Sequence, residues 1–394
     1  MIRCNGFCLA LDPKRSTNLT QNARMLDRKR TGNIRRIELD VGEVYAFQLE
    51  EDESELPLVH GLLLDREDGG EYSALLDSHG SIVCKRDRAG TRPLYLAKSG
   101  KWLASDHRFF PNEEMTLLPP GSTFDVAKGE RYAERRRRLE PFDGTFEEAG
   151  WTLAGLIEGS VRERVEKRGT VAVSFSGGLD SAILAQCAKR LARDVVAISV
   201  GVIGSRDDEN APKAAEELGV ELKGVKVDKK MVISEMHRIE LPFQPSAMDR
   251  SLWCVYSIAS RIANECGADT ILLGQLADEL FGGYMKYQKI LAESGEMAAA
   301  HLMETDLEMC GMRGFLRDEL ACSKWNEPRF PYAEWQVMEF GLTLPVSFKI
   351  RENVRKAVLR EAARNLGVPD RLCDAPKKAV QYSSGIMKLI RQLI

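Results

Sequence analysis

Along the first 140 residues, short apolar runs alternate with turn residues: Val41 to Phe47, Leu58 to Leu64, Tyr72 to Leu76, Ser81 to Cys84, Leu94 to Ala97 and Trp102 to Ala104. Runs of this length, bounded by Gly, Asp and Ser, predict a β-rich layer. The stretch Arg131 to Arg138, with five arginines before Pro141, breaks that rhythm and marks the exit from a first domain. Such a charge run is a solvated face by default; as a functional element it would be a contact for nucleic acid.

From there the period changes. Thr145 and Glu148 have capping-box spacing, and Leu153, Leu156, Ile157, Val161 and Val165 then fall on one helical face. Past Arg168 the pattern becomes strand, helix, strand, helix. Val171 to Phe175 leads through two glycines into a helix over Ala182 to Leu191. Val195 to Gly201, a helix near Asn210 to Leu218, and Leu222 to Val227 follow, and Thr270 to Gly274 supplies a further strand. Beyond Tyr284 the pattern is mainly helical. Alternation of apolar strands with amphipathic helices predicts an α/β domain with a doubly wound parallel sheet and a helical C-terminal extension. The expected domains are therefore 1–140 and 141–394.

Candidate chemistry concentrates between the first of these strands and its helix. Ser174 to Ser181 read SFSGGLDS. Paired glycines let backbone N–H groups close on an anion, and the helix beginning beyond them adds its positive end. Ser176 and Ser181 can hydrogen-bond phosphate oxygens, and Asp180 can hold Mg²⁺ against a polyanion. The loop lacks the Lys-Ser/Thr ending of a Walker motif, so γ-phosphate transfer is not the expected reaction. A second motif, Leu272 to Tyr284 (LLGQLADELFGGY), leaves a strand, presents Asp278 and Glu279, and turns through Gly282 and Gly283. Acids at a helix start can be simple dipole partners. At the carboxyl end of a parallel strand they also stand where such sheets bind ligands.

The S-G-G-x-D-S loop resembles that of the PP-loop ATP pyrophosphatases, and the second motif is similar to the S-G-E-G-(A/S)-D-E-x-F-G-G-Y stretch of the asparagine synthetase family. The resemblance continues through Ser199 to Glu221, loosely through Glu327, Arg329, Pro331 and Tyr332, and through Leu359 to Pro369 and Pro376 to Gly385. It implies cleavage of ATP to AMP and pyrophosphate. Ser174, Ser176, Gly177, Gly178, Asp180 and Ser181 would line the phosphate site, and Asp180 and Asp278 would be Mg²⁺ ligands. Val200 and Gly274 would lie against the adenine. Lys378, or its neighbour Lys377, would neutralise charge on departing pyrophosphate. Where the family has a glutamate that supports amide formation, this chain has Gln275, which keeps hydrogen-bonding capacity but cannot act as a carboxylate base.

Gly69 to Asp106 and Leu117 to Ser122 resemble the later half of the family's glutaminase domain, an Ntn-hydrolase-like α+β fold. That chemistry uses an amino-terminal cysteine whose own α-amino group is the base. Cys4 is the candidate, but Met1, Ile2 and Arg3 precede it, and the family's glutamine-binding stretches have no counterpart beyond a trace at Arg30. A degenerate domain is expected. The leading expectation is an AMP-forming ligase that activates aspartate or an analogue and uses ammonia or another amine. The alternatives are a nucleobase- or tRNA-modifying PP-loop enzyme and a non-catalytic ATP-binding scaffold.

Bulk properties add little about partners. The net charge of −3 over 394 residues gives no global field for a polyanion and is otherwise uninformative; the resemblance implies a small-molecule carboxylate and an amine or ammonia donor rather than nucleic acid. The nine cysteines show no C-x-x-C pair or metal spacing. They read as reduced thiols of a cytoplasmic protein, and no apolar run is long enough to span a bilayer.

Overall fold

The computed structural model describes residues 2–4, 7–10, 34–39, 42–47, 58–64, 69–78, 81–100, 102–109, 113–133, 139–166, 168–375 and 383–393. The chain divides into two compact units, Met1–Arg137 with Gly311–Leu316, and Arg138–Cys310 with Arg317–Ile394.

Among the described residues of the first unit there are twelve strands: β1 (Ile2–Cys4), β2 (Phe7–Ala10), β3 (Ile34–Leu39), β4 (Gly42–Phe47), β5 (Leu58–Leu63), β6 (Gly70–Ser78), β7 (Ser81–Arg86), β8 (Tyr95–Ala97), β9 (Trp102–Ala104), β10 (Met115–Leu117), β11 (Ser122–Asp125) and β12 (Glu130–Ala133). They make two six-stranded sheets, ordered β1-β5-β6-β7-β11-β12 and β10-β8-β9-β2-β4-β3. Among the described residues the β1–β5 pair is parallel and the other pairs of these sheets are antiparallel. Period-2 alternation explains the core: Phe7 and Leu9 from one sheet and Leu75, Cys84 and Phe124 from the other share one buried cluster with Leu94, Leu103 and Leu118.

Beyond β7 the chain is locked by buried charge. Arg86 donates to the carbonyls of Arg92 (2.7 Å), Leu118 (2.5 Å), Gly90 (2.7 Å) and Gly311 (2.8 Å). Asp87 accepts from the backbone N–H groups of Thr91, Arg92 and Tyr72 and from the Thr91 hydroxyl. Burial draws the Arg86 guanidinium down to about 10, which still leaves it charged at neutral pH.

The second unit carries the parallel sheet. Its strands β13 (Thr170–Ser174), β14 (Asp194–Val202), β15 (Glu221–Val227), β16 (Ala268–Leu272) and β17 (Glu327–Arg329) are ordered β15-β14-β13-β16-β17. Every pairing among them is parallel. The helices are α1 (Phe146–Val165), α2 (Leu179–Leu191), α3 (Arg206–Leu218), α4 (Lys229–Met236), α5 (Ala247–Glu265), α6 (Ala277–Phe281), α7 (Met285–Met309), α8 (Phe315–Cys322, partly in the first unit), α9 (Trp335–Thr343), α10 (Val346–Lys349), α11 (Ala357–Asn365), α12 (Asp370–Cys373) and α13 (Ile386–Arg391). A small hairpin of β18 (Ile350–Arg351) and β19 (Val354–Arg355) lies between α10 and α11.

The local signals read from the sequence have direct counterparts. The Thr145–Glu148 capping box is formed in both directions, and Leu153, Ile157, Val161 and Val165 of α1 are buried. Several boundaries differ, two of them at the site. Helix α2 starts at Leu179 rather than Ala182, because Gly178 already serves as its N-cap. Strand β16 ends at Leu272, so Leu273 to Leu276 form the loop that follows it. Strand β17 was hidden inside a stretch that reads as helical: it is three residues long, on the sheet's edge, and contains Pro328, which an edge strand tolerates.

Candidate functional site

The strand order fixes where a ligand can sit. From β13 the connections run outward to β14 and β15 on one side, then return to β16 and β17 on the other. The crevice beyond the carboxyl ends of adjacent β13 and β16 is thus the switch point of the sheet, the usual ligand position in such folds. In that register Val173 pairs with Leu272, so the loop Ser174–Ser181 and the loop Leu273–Asp278 emerge side by side.

Sequence explains the shape of the first loop. Gly177 has φ +69°, and a Cβ there would stand 3.1 Å from the backbone of Ala211 on α3. A left-handed turn pressed against another helix requires glycine. Gly178 caps α2 without a side-chain hydrogen bond, and a helix start without a side-chain cap can offer its first N–H groups to an anion. The hydroxyl of Ser181 accepts from the Ser176 N–H (3.3 Å) and donates to the Gly178 carbonyl (3.1 Å), while the Ser176 hydroxyl accepts from the Gly178 N–H (3.3 Å). Ser174, Ser176, Gly177, Gly178 and Asp180 are half-buried and Ser181 is buried.

The second loop reaches the first through Gly274, where a Cβ would lie 3.3 Å from Cβ of Asp180. The backbone then turns sharply: Leu276 is left-handed at φ 80°, a strained conformation for a leucine, of order 1–3 kcal/mol. Asp278 follows in the first turn of α6. Gly283 is required beside it, since a Cβ there would come within 1.8 Å of Asp278 Oδ1.

Asp180 and Asp278 are joined by a residue that the sequence reading did not single out. Lys356 Nζ lies 2.6 Å from Asp180 Oδ1 and 2.7 Å from Asp278 Oδ1, and its side chain is wholly buried. It is presented by the β18–β19 hairpin, whose Glu352 and Asn353 have the two successive positive φ values of a type I′ turn. Arg355 anchors the hairpin to the Gly283 carbonyl at 2.7 Å. Lys356 itself is left-handed (φ 60°) and is the N-cap of α11. A signal was present: a lysine at a helix N-terminus opposes the helix dipole and calls for an acidic partner.

Around this centre, Tyr332 donates to the Asp180 carbonyl (3.0 Å) and Tyr284 donates to Glu279 (2.8 Å). Burial, with the Asp278 carboxylate next to it, pushes the Glu279 carboxyl up to about 7. Gln275 donates through Nε2 to Cys310 Sγ at 3.1 Å; burial, reinforced by Glu279, raises that thiol far above its ordinary range, so the sulfur stays neutral. Val200 is buried in the last third of β14, the strand next to β13. Glu327 and Arg329 build the edge strand, ion-paired at 2.6 Å, rather than entering the site. Lys377, Lys378, Arg30 and Arg135 to Arg138 lie outside the described residues, as does the side chain of Cys4.

The donor set suits Mg²⁺. Two carboxylates converge from the first turns of α2 and α6 beside the Gly177–Gly178 turn, and Mg²⁺ is characteristically held by one or two carboxylates with the remaining positions filled by phosphates and water. Among the described residues no group of three or more His, Cys, Asp or Glu could form an all-protein cage. None of their helices is long and apolar enough to cross a membrane.

A family model described as asparagine synthase matches residues 152–326 and 294–393, more than half of the chain. The chain belongs to the asparagine synthase family. The putative asparagine synthetase [glutamine-hydrolyzing] 1 of Methanocaldococcus jannaschii is 27% identical over 396 residues, covering 83% of this chain and 71% of that protein. An asparagine synthetase [glutamine-hydrolyzing] of Asparagus officinalis is 24% identical over 82% of this chain but 58% of its own length. The carboxyethyl-arginine beta-lactam-synthase of Streptomyces clavuligerus is 23% identical, covering 82% of this chain and 67% of that protein. Membership of the asparagine synthase family supports ATP use and assigns the chain to the ligases.

Proposed function

We propose that this asparagine synthase family member adenylates a carboxylate, aspartate or an analogue, releasing pyrophosphate, and passes the acyl group to ammonia or another amine with loss of AMP. The observation that carries the reading is the meeting of Asp180 and Asp278 on Lys356 at the switch point, next to the Gly177–Gly178 turn. That arrangement suits a triphosphate gripped at its α- and β-phosphates. Ser176, Ser181 and the opening N–H groups of α2 would hold the phosphate oxygens, and Asp180 and Asp278 would hold the metal. Bound there, Mg²⁺ would offset phosphate charge as the carboxylate oxygen attacks the α-phosphorus and the bond to pyrophosphate breaks. Val200 and Gly274 would flank the adenine, and Lys378 or Lys377 would face the departing pyrophosphate.

Gln275 bears on the second half-reaction. With Nε2 donating to Cys310, the amide keeps Oε1 as an acceptor that would orient an attacking amine without taking its proton. Ammonia dependence is supported by the lack of counterparts to the family's glutamine-binding stretches, which also make the first unit a degenerate glutaminase-like domain in this reading.

The test is ATP–pyrophosphate exchange over a carboxylate panel that includes aspartate and carboxyethyl-arginine, followed by product analysis with ammonium. Exchange with at least one carboxylate and amide formation with ammonium are expected. Stabilisation by Mg-ATP with no exchange across the panel would instead make the chain a nucleotide-binding scaffold.

A further inference from the structure

Lys356 is placed where a metal ion would be expected to act. Its ammonium contacts one carboxylate oxygen of Asp180 and one of Asp278, at 2.6 and 2.7 Å, while the two aspartates remain 14% and 15% exposed. The lysine is therefore sealed on the protein side and the carboxylates face the crevice. Its position is built rather than incidental. The residue holds a left-handed backbone that a side chain bearing a Cβ adopts at a cost, the hairpin before it is tied to Gly283 by Arg355, and Arg360 returns to the Arg355 carbonyl at 2.9 Å. Gly283 makes room for the ion pair, since a Cβ there would also lie 2.4 Å from Cε of Lys356.

We propose that Lys356 is a built-in counter-ion that occupies the carboxylates of the metal seat until nucleotide arrives, so that the divalent cation is taken up only together with the triphosphate. The proposal rests on the reading that Asp180 and Asp278 hold Mg²⁺ with ATP. Without nucleotide, a dication entering between the two carboxylates meets a buried ammonium already in contact with both, and like charges at contact distance in a poorly hydrated site repel strongly. The polyphosphate changes the balance. It brings several negative charges to the same crevice, giving the ammonium new partners and the metal new oxygen ligands. Lys356 is thus a positioning residue that couples metal binding to nucleotide binding, a coupling that holds reciprocally.

Calorimetric titration tests this with Mn²⁺ alone and with Mn²⁺ plus α,β-methylene-ATP, on the full chain and on Lys356→Met and Lys356→Arg. The wild-type chain is expected to bind the metal–nucleotide pair but not Mn²⁺ alone at the same concentrations. Lys356→Met, similar in length and uncharged, should bind Mn²⁺ alone at least about tenfold more tightly than wild type, and Lys356→Arg should behave as wild type. A purely structural lysine would not move this readout. Equal binding of Mn²⁺ alone by wild type and Lys356→Met overturns the proposal. Should Lys356→Met not fold, the wild-type titration decides, because Mn²⁺ binding without nucleotide overturns the proposal and binding only with nucleotide upholds it. Failure of the wild-type chain to bind metal and nucleotide together is a separate result, which overturns the ATP reading itself.

Discussion

Arg86 in the first unit and Lys356 in the second are both fully buried cations, and their partners differ in kind. Arg86 gives its hydrogen bonds to four backbone carbonyls, and its neighbour Asp87 receives three backbone N–H groups. Charge used in this way holds loops and is turned inward. Lys356 contacts two carboxylates that remain partly exposed at a sheet's switch point, on a backbone held left-handed. The difference teaches that burial of a charge does not by itself mark a site. What marks it is whether the counter-charges still face a crevice, and whether the chain accepts strain to keep them there.

The sharpest way to break this comparison is to remove the inward-turned charge. Arg86→Met leaves four carbonyls without their donor in a buried place, and losses of this type cost about 3–5 kcal/mol. Urea unfolding should show that loss, with the first transition moving to lower denaturant. A change under about 1 kcal/mol would mean that water replaces the guanidinium and that Arg86 is not a lock.

On the other side, Asp180→Asn removes charge that faces the crevice. Pyrophosphate release should fall about a hundredfold or more, while the unfolding midpoint moves less than in Arg86→Met, because Lys356 keeps its contact with Asp278. If stability collapses and residual activity per folded molecule is unchanged, the two clusters are alike and the distinction fails.

How far this contrast was legible in the sequence depended on range. Local rules carried well: the Thr145–Glu148 cap, the Gly177–Gly178 turn and the strand–helix alternation each depend on neighbours within a few residues. Gly283 could be flagged as a turn but not as the partner of Asp278 Oδ1, and Lys356 could not be linked to Asp180, 176 residues away. Pairing across such distance is set by strand order, which alternation alone does not specify. The short strand β17 escaped for a related reason, since three residues contain too little of any period to register.

A third buried cation, Lys349 at the end of α10, belongs to neither cluster and tests what an unlocked charge costs. Burial pulls its ammonium down to about 8, with Glu304 offering partial compensation. The unfolded chain holds that proton up to about 10.5 and the folded chain releases it above about 8, so stability should rise with pH across that window and be flat below it. At pH 7 the full penalty applies. Lys349→Met should therefore stabilise the fold at pH 7 by up to about 3 kcal/mol and remove the alkaline slope. Thermal melts between pH 7 and 10.5 measure both, and a slope that survives the substitution assigns it to another group.

The smallest effect concerns a neutral pair at the same crevice, Gln275 and Cys310, which extends the comparison from charged to uncharged contacts. The 3.1 Å bond from Nε2 to Sγ uses a weak acceptor, so Cys310→Ala should destabilise by about 1 kcal/mol or less. Its value lies in which half-reaction it touches. If the sulfur serves to fix the Gln275 amide for the attacking amine, ATP–pyrophosphate exchange stays at the wild-type rate in Cys310→Ala while amide formation slows about threefold, the equivalent of under about 1 kcal/mol. Cys310→Ser, which restores an acceptor, should recover part of that loss. Equal slowing of both half-reactions would place Cys310 with Arg86, as a residue that holds the scaffold, and would leave Gln275 without a separate part in amide formation.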